Sequence, residues 1–267
     1  MTVLRNNARV LRYAFTSAMA DMRATYTWKS WTFAWLARIL CQVTLFALIG
    51  KLLGSPEQVE YLVVGNSVFI VADIVMMVCA TTAWERLAGT LPLLVSCPST
   101  PFVVFAGRSV QWLVDGLACS TVSLLLLAPV LGVSLPLGAA LTAVPMIAVI
   151  SVSVYFFGLT LAGLALRVMK ARNLVGRLGS IGLMVLTGVQ VPVTFWPVPV
   201  QYMSNVLPLT HGLHAVREHL HGAPLPRVLA LLSLEVAVGT AWTVIAFFTY
   251  RRLVNSGRHD GTIEFGG

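Results

Sequence analysis

The apolar positions of this chain fall into long blocks, not into a two-residue alternation or a narrow helical stripe. A bilayer hydrocarbon core about 30 Å thick takes about 20 mostly apolar residues per helix, so blocks of that length read as membrane spans. Six are predicted: Trp31 to Gly50, interrupted by Arg38; Tyr61 to Ala83, containing Asp73; Phe102 to Val133; Leu137 to Leu166; a fifth beginning near Leu178; and Val228 to Tyr250. Between Val191 and Pro226 the pattern changes, because Pro192, Pro197, Pro199, Pro208, Pro224 and Pro226 forbid one continuous helix. Broken backbone at membrane depth must be buried in protein or line a wet cavity. Residues 192–226 are therefore expected to form a re-entrant, helical outer segment before the last span, with Trp196 and Tyr202 near the outer interface. Ahead of the first span, Leu4, Leu11, Phe15, Ala18 and Met22 share one helical face and Arg5, Arg9, Arg12, Thr16 and Arg23 the other. That predicts an amphipathic helix within residues 1–30, lying in a headgroup layer.

Composition strengthens the membrane assignment. Hydrophobic residues make up 57% of the 267 and charged residues only 10%, with a mean hydropathy of +0.84, whereas a soluble domain carries about 25% charged residues. Disorder, a disulfide-rich secreted fold and a nucleic-acid module are excluded on the same grounds. The net charge of +8 is scattered and is read as topology. The N-terminal segment, Arg86 and Arg108, the group Arg167, Lys170, Arg172 and Arg177, and the tail with Arg251, Arg252 and Arg258 fall on one side; the other has only Lys51, Arg217 and Arg227. The positive-inside rule then places both termini in the cytoplasm of a multi-pass plasma-membrane protein. Charges throughout positions 1 to 30 argue against a cleaved signal peptide. Cys41, Cys79, Cys97 and Cys119 lie in or beside apolar stretches without a CxxC and read as small core hydrophobes.

Candidate chemistry is sparse. The lysines, Lys29, Lys51 and Lys170, stand in no P-loop, so nucleotide hydrolysis by that route is not expected here, and any ATPase is another chain. Asp73, Asp115 and Glu235 lie within spans, where ionised groups face the bundle interior or water; they read as a polar lining, a proton relay, or helix contacts paired with an arginine such as Arg38 or Arg108. His211, His214, His219 and His221 with Glu218 cluster on the outer side, and no metal site is expected from them. Gly176, Gly179 and Gly182 recur at a spacing of three at the opening of the fifth span, as helices in close contact require. No catalytic constellation converges on one side, which argues against an enzyme.

Two segments carry a family resemblance. One runs Trp84-Glu85-Arg86-Leu87-Ala88-Gly89-Thr90-Leu91-Pro92-Leu93-Leu94-Val95-Ser96-Cys97-Pro98; the other runs Leu207-Pro208-Leu209-Thr210-His211-Gly212-Leu213-His214-Ala215-Val216-Arg217. Together they resemble the membrane subunit of the ABC-2 (type V ABC exporter) family, with its Glu-Arg-x-x-Gly-Thr-Leu-Glu loop and its Pro-Leu-Thr element ending in Arg. Pro92 departs from the usual Glu, and His214 stands where a Glu is common.

The resemblance implies an all-α permease with an elbow helix at 1–30 and a six-helix domain at 31–267. Within that domain come a coupling segment at 84–98, the outer segment at 192–226 and a cytoplasmic tail at 251–267. It implies a partner ABC ATPase in two copies, which alone binds ATP and Mg, contacted through Glu85, Arg86, Gly89, Thr90, Leu91, Leu93 and Leu94. It implies a second permease subunit, identical or paralogous. The pathway between the two copies would be lined by Asp73, Phe69, Met76, Met77, Gly179, Gly182 and Met184, and the outer motif is Pro208, Leu209, Thr210 and Arg217. The apolar second and fifth spans suggest a hydrophobic or amphiphilic cargo, drug or antibiotic efflux first and a lipid or lipid-linked glycan second. Other classes remain open: a proton-coupled transporter or channel using Asp73, Asp115 or Glu235, and a membrane-embedded enzyme with the histidine cluster as its candidate site.

Overall fold

The computed structural model describes residues 2–87, 89, 100–166 and 172–260. Among them every regular element is helical: α1 (Thr2–Thr25), α2 (Trp28–Leu52), α3 (Pro56–Val75), α4 (Val78–Leu87), α5 (Pro101–Ser109), α6 (Gln111–Val122), α7 (Leu137–Ala165), α8 (Arg172–Leu186), α9 (Val198–Val206), α10 (Thr210–Leu220) and α11 (Leu225–Asp260). The chain is an all-α polytopic membrane protein. Five helical stretches are long and apolar enough to cross a bilayer: Trp28–Leu52, Pro56–Trp84, Phe102–Val130, Leu137–Ala165 and Leu225–Asn255. The sixth, α8, starts at Arg172, earlier than the block pattern predicts, and has 15 residues. At 1.5 Å per residue it spans about 22 Å, less than the hydrocarbon core. Between it and α11 the stretch 192–226 holds the two short helices α9 and α10.

Local sequence sets the boundaries. Thr27 and Ser30 form a reciprocal capping box at the start of α2. Gly54, at φ +72°, ends α2, and Ser55 with Pro56 starts α3 two residues later. Pro129 has no N–H to give, and a π-turn over Ser123–Leu127 absorbs the defect.

Burial divides the spans sharply. The apolar window of the second span is 89% buried within this one chain, whereas those of the first and last are 28% and 17% buried and leave broad apolar faces outward. The second span is thus the central post. The main core gathers its Val68, Val71 and Val75 with Ile147, Ile150 and Val154 of α7 and Leu213 and Val216 of α10. A second core joins α2 through Ile39, Val43 and Ala47 to Val63, Ile70 and Ile74.

Both ends of the chain meet the start of the third span. Ala14 and Ala18 of α1 are buried, and a Cβ on Gly107 would lie 2.5 Å from that of Ala14, so α1 rests directly on α5. Tyr250 near the end of α11 stacks on Phe105 with ring centroids 4.8 Å apart. The two termini therefore lie at one end of the bundle, called the termini end below.

Candidate functional site

The second span is buried along most of its length. Within residues 71–80, Asp73, Met77 and Ala80 stay partly exposed while Val71, Ala72, Ile74, Val75, Val78 and Cys79 between them are buried. Steps of four and three place those three on one helical face. The helix is interrupted at Met76 and Met77, in the middle of this face. Beside it stands α8. A cavity of about 280 Å³ opens between the two, lined by Asp73, Met76, Met77 and Ala80 on one wall and Asn173, Gly176, Arg177 and Ser180 on the other. Asp73 Oδ1 accepts a 2.7 Å hydrogen bond from the Ser180 hydroxyl. An apolar wall of methionines carrying one carboxylate and one guanidinium is the polar seam of an otherwise apolar helix pair.

The predicted lining residues divide between this seam and the core. Asp73, Met76 and Met77 line the cavity. Phe69 is 2% exposed and sits in the chain's own core, not on an outer face. Gly179 also serves packing within the chain: a Cβ there would meet Leu161 Cδ1 at 2.5 Å and Met76 Sδ at 3.3 Å. Gly182 faces open space, and Met184 is packed against the core.

The motif between the second and third spans lies largely outside the described residues. Thr90, Leu91, Leu93 and Leu94 fall there, as do the side chains of Glu85 and Arg86 at the end of α4. Gly89 is described, exposed, at φ +69° with open space around it. What flanks the motif is defined. It leaves α4, which packs against α7 and α8, and enters α5, on which α1 rests. Arg108 of α5 holds α1 through Asp21 at 3.0 Å and the Ser17 hydroxyl at 2.6 Å.

At the opposite end the second motif forms one buried structure. Pro208, Leu209 and Thr210 are buried, and Leu209 takes φ +83°, a conformation costly for a branched side chain. Glu235 of α11 compensates: one carboxylate oxygen accepts from the Leu209 N–H and the other from the Gly212 N–H, each at 2.9 Å. A carboxylate on free N–H groups at the start of α10 suits the helix dipole. Arg217, seven residues into α10, lies 3.5 Å over the Tyr61 ring and donates to the carbonyls of Gly188 (2.8 Å), Tyr61 (3.0 Å) and Val189 (3.4 Å). Gly65 is required there, since a Cβ would come within 2.5 Å of the guanidinium. Arg217 thereby ties the non-helical stretch after α8 to the second span.

None of the three intramembrane acids pairs with an arginine among the described residues, contrary to the pairing with Arg38 or Arg108 suggested above. Asp73 takes a serine and Glu235 two backbone amides. Asp115 accepts from the indole N–H groups of Trp31 (2.7 Å) and Trp35 (2.8 Å). Arg38 instead stacks on Trp35. The histidines part ways: His214 meets Glu218, His221 meets Glu60, His219 meets Thr142 and His211 meets the Asn205 carbonyl. Among the described residues no three His, Cys, Asp or Glu side chains gather as a metal site.

Sequence reasoning did not find the contacts of Ser180 or Tyr61. Each acts only through a partner far along the chain. The i, i+4 spacing of Trp31 and Trp35 was a readable hint of a shared face, though not of the carboxylate they hold.

No curated protein matches the chain. The ABC-2 type transporter family matches it over residues 16–220, a stretch that takes in the second half of α1 from Thr16 onward, both motifs and every later helix as far as α10. The chain belongs to the ABC-2 type transporter family and is a membrane permease component of such a transporter.

Proposed function

We propose that this chain is the permease subunit of an ATP-driven exporter, powered by two copies of a separate ABC ATPase that bind ATP and Mg. Two permease subunits, identical or paralogous, face each other across the open seam, and a hydrophobic or amphiphilic cargo passes between them. Drug or antibiotic efflux is the first assignment and a lipid or lipid-linked glycan the second. The termini end faces the cytoplasm of a plasma membrane. What carries this reading is the cavity-lining face of the largely buried second span, Asp73, Met77 and Ala80, in a chain of a transporter family.

The coupling path follows from the elements around the first motif. Residues 88–99 join α4, whose outer face lines the seam, to α5, which α1 clamps. A push on that segment by a closing ATPase dimer therefore acts on the cavity wall and on α1 together. Methionines suit a cargo of variable shape because the thioether chain is flexible and polarizable. The ion and phosphate chemistry of hydrolysis stays on the ATPase.

Pull-down of the tagged chain from its host membrane tests this. A P-loop ATPase in equal amount, with vanadate-sensitive hydrolysis, is expected, and both are expected to be lost on Glu85→Ala or on deletion of residues 89–95. Recovery of the folded chain with no ATPase, and none restored from the host's candidates, contradicts the proposal.

A further inference from the structure

A second cavity, of about 540 Å³, lies at the termini end between α1, the end of α4 and α6, apart from the seam. Its open rim carries Asp21 and Trp84, and its one fully buried lining residue is Asp115. Five of the chain's seven tryptophans, Trp28, Trp31, Trp35, Trp84 and Trp112, come from the elements at this end, with Tyr26 beside them. Tyr26 and Trp112 line the cavity, and each packs its ring against Trp35. Aromatic side chains at the level of an amphipathic helix mark the headgroup layer.

The charges within the cavity do not cancel. Asp21 is paired with Arg108. Asp115 makes no salt bridge among the described residues; its two oxygens each accept an indole N–H, and Arg38 lies on the face of one of those indoles, outside the lining. That leaves one carboxyl group without a salt bridge, walled by aromatic rings, which suits an ammonium group. Two further polar atoms on the lining residues, Gln111 Oε1 and Trp112 Nε1, are buried with no hydrogen-bond partner. An unpaired buried acceptor and an unpaired buried donor cost about 1–3 kcal/mol each. An occupant offering N–H to the glutamine and an oxygen to the indole removes both costs.

From this we infer that the cavity beneath α1 binds the headgroup of an ammonium-bearing amphiphile from the adjacent leaflet, an ethanolamine phospholipid. The ammonium goes to Asp115 and the Gln111 carbonyl, and a phosphate or ester oxygen goes to the Trp112 indole. Only the naming of that leaflet as cytoplasmic rests on the orientation proposed above; the site does not depend on the ATPase or on the cargo.

Titration of the delipidated full-length protein, followed by native mass spectrometry, tests the site with three probes: dioctanoyl phosphatidylethanolamine, dioctanoyl phosphatidylglycerol and dodecyltrimethylammonium. The ethanolamine lipid is expected to bind about tenfold tighter than the glycerol lipid, a preference that Asp115→Asn abolishes, since truncating one side of a buried charge pair costs at least that much. Gln111→Leu leaves the indole clamp untouched and is expected to reduce the preference about threefold, as loss of one hydrogen bond predicts. It keeps the test readable if Asp115→Asn fails to fold. Asp115-dependent binding of dodecyltrimethylammonium without the ethanolamine lipid supports the ammonium site and assigns it to a cationic amphiphile instead of a membrane lipid. Equal binding of the two phospholipids, or a preference unchanged in both variants, overturns the inference.

Discussion

Single charged residues fix the backbone where helices cannot. Glu235 satisfies two buried N–H groups at the start of α10, one of them at the strained Leu209. Glu235→Ala is expected to lower stability by about 3 kcal/mol, the cost of two buried donors left unpaired. Glu235→Gln, which keeps one good acceptor, is expected to cost about 1 kcal/mol. Thermal unfolding of the detergent-purified protein reads both; a proton-carrying role would instead leave stability alone and abolish transport in each. Arg217→Lys is expected to cost about 2 kcal/mol, because an ammonium cannot lie flat on Tyr61 and reach three carbonyls as a guanidinium does. Protease cleavage in the 187–197 stretch should rise with it, and an unchanged digest contradicts the pinning role. The Pro208-Leu209-Thr210 and Arg217 spacing was legible as a motif, and its partners were not. Tyr61 is 156 positions away from Arg217, and no local pattern links them.

Among the elements, block length gave the long spans within a few residues, because about 20 apolar residues is a constraint set by lipid and not by tertiary contacts. It failed where polar residues belong to a helix. Asn173 and Arg177 masked the first turns of α8, and the structure places them on the cavity wall. The break at Met76 and Met77 has no proline or glycine of its own; Gly176 of α8 is packed against it, with Cys79 Cβ 3.1 Å and the Met76 carbonyl 3.4 Å from a built Cβ. The glycines of α8 read as one stripe in sequence but do different work. Gly179→Leu is expected to destabilise by about 2–3 kcal/mol, since the added side chain overlaps Leu161 and Met76. Gly182→Leu, in open space, is expected to change stability by less than about 0.5 kcal/mol. The same thermal scan separates them, and equal effects contradict the placement of α8. If the outward face of α8 at Gly182 meets a second subunit, Gly182→Leu lowers transport while the isolated chain stays as stable as before.

For the molecule as a whole, the proposed coupling push enters where α4, one wall of the cavity, leads on to α5, against which α1 is packed. Membrane class and family membership could be read from composition and two motifs. That the second span is almost wholly enclosed by its own chain, with Asp73, Met77 and Ala80 left on a cavity wall, could not, because which apolar residues pack and which line a path depends on neighbours distant in sequence. The most direct measurement is efflux of a hydrophobic dye from proteoliposomes holding this chain and its co-purified ATPase, with and without ATP and with the proton gradient collapsed. Transport that requires ATP, survives gradient collapse and falls on Asp73→Ala together with Met77→Trp is the predicted result. Transport that proceeds without the ATPase and stops when the gradient is collapsed contradicts it, and assigns the energy source to the intramembrane acids.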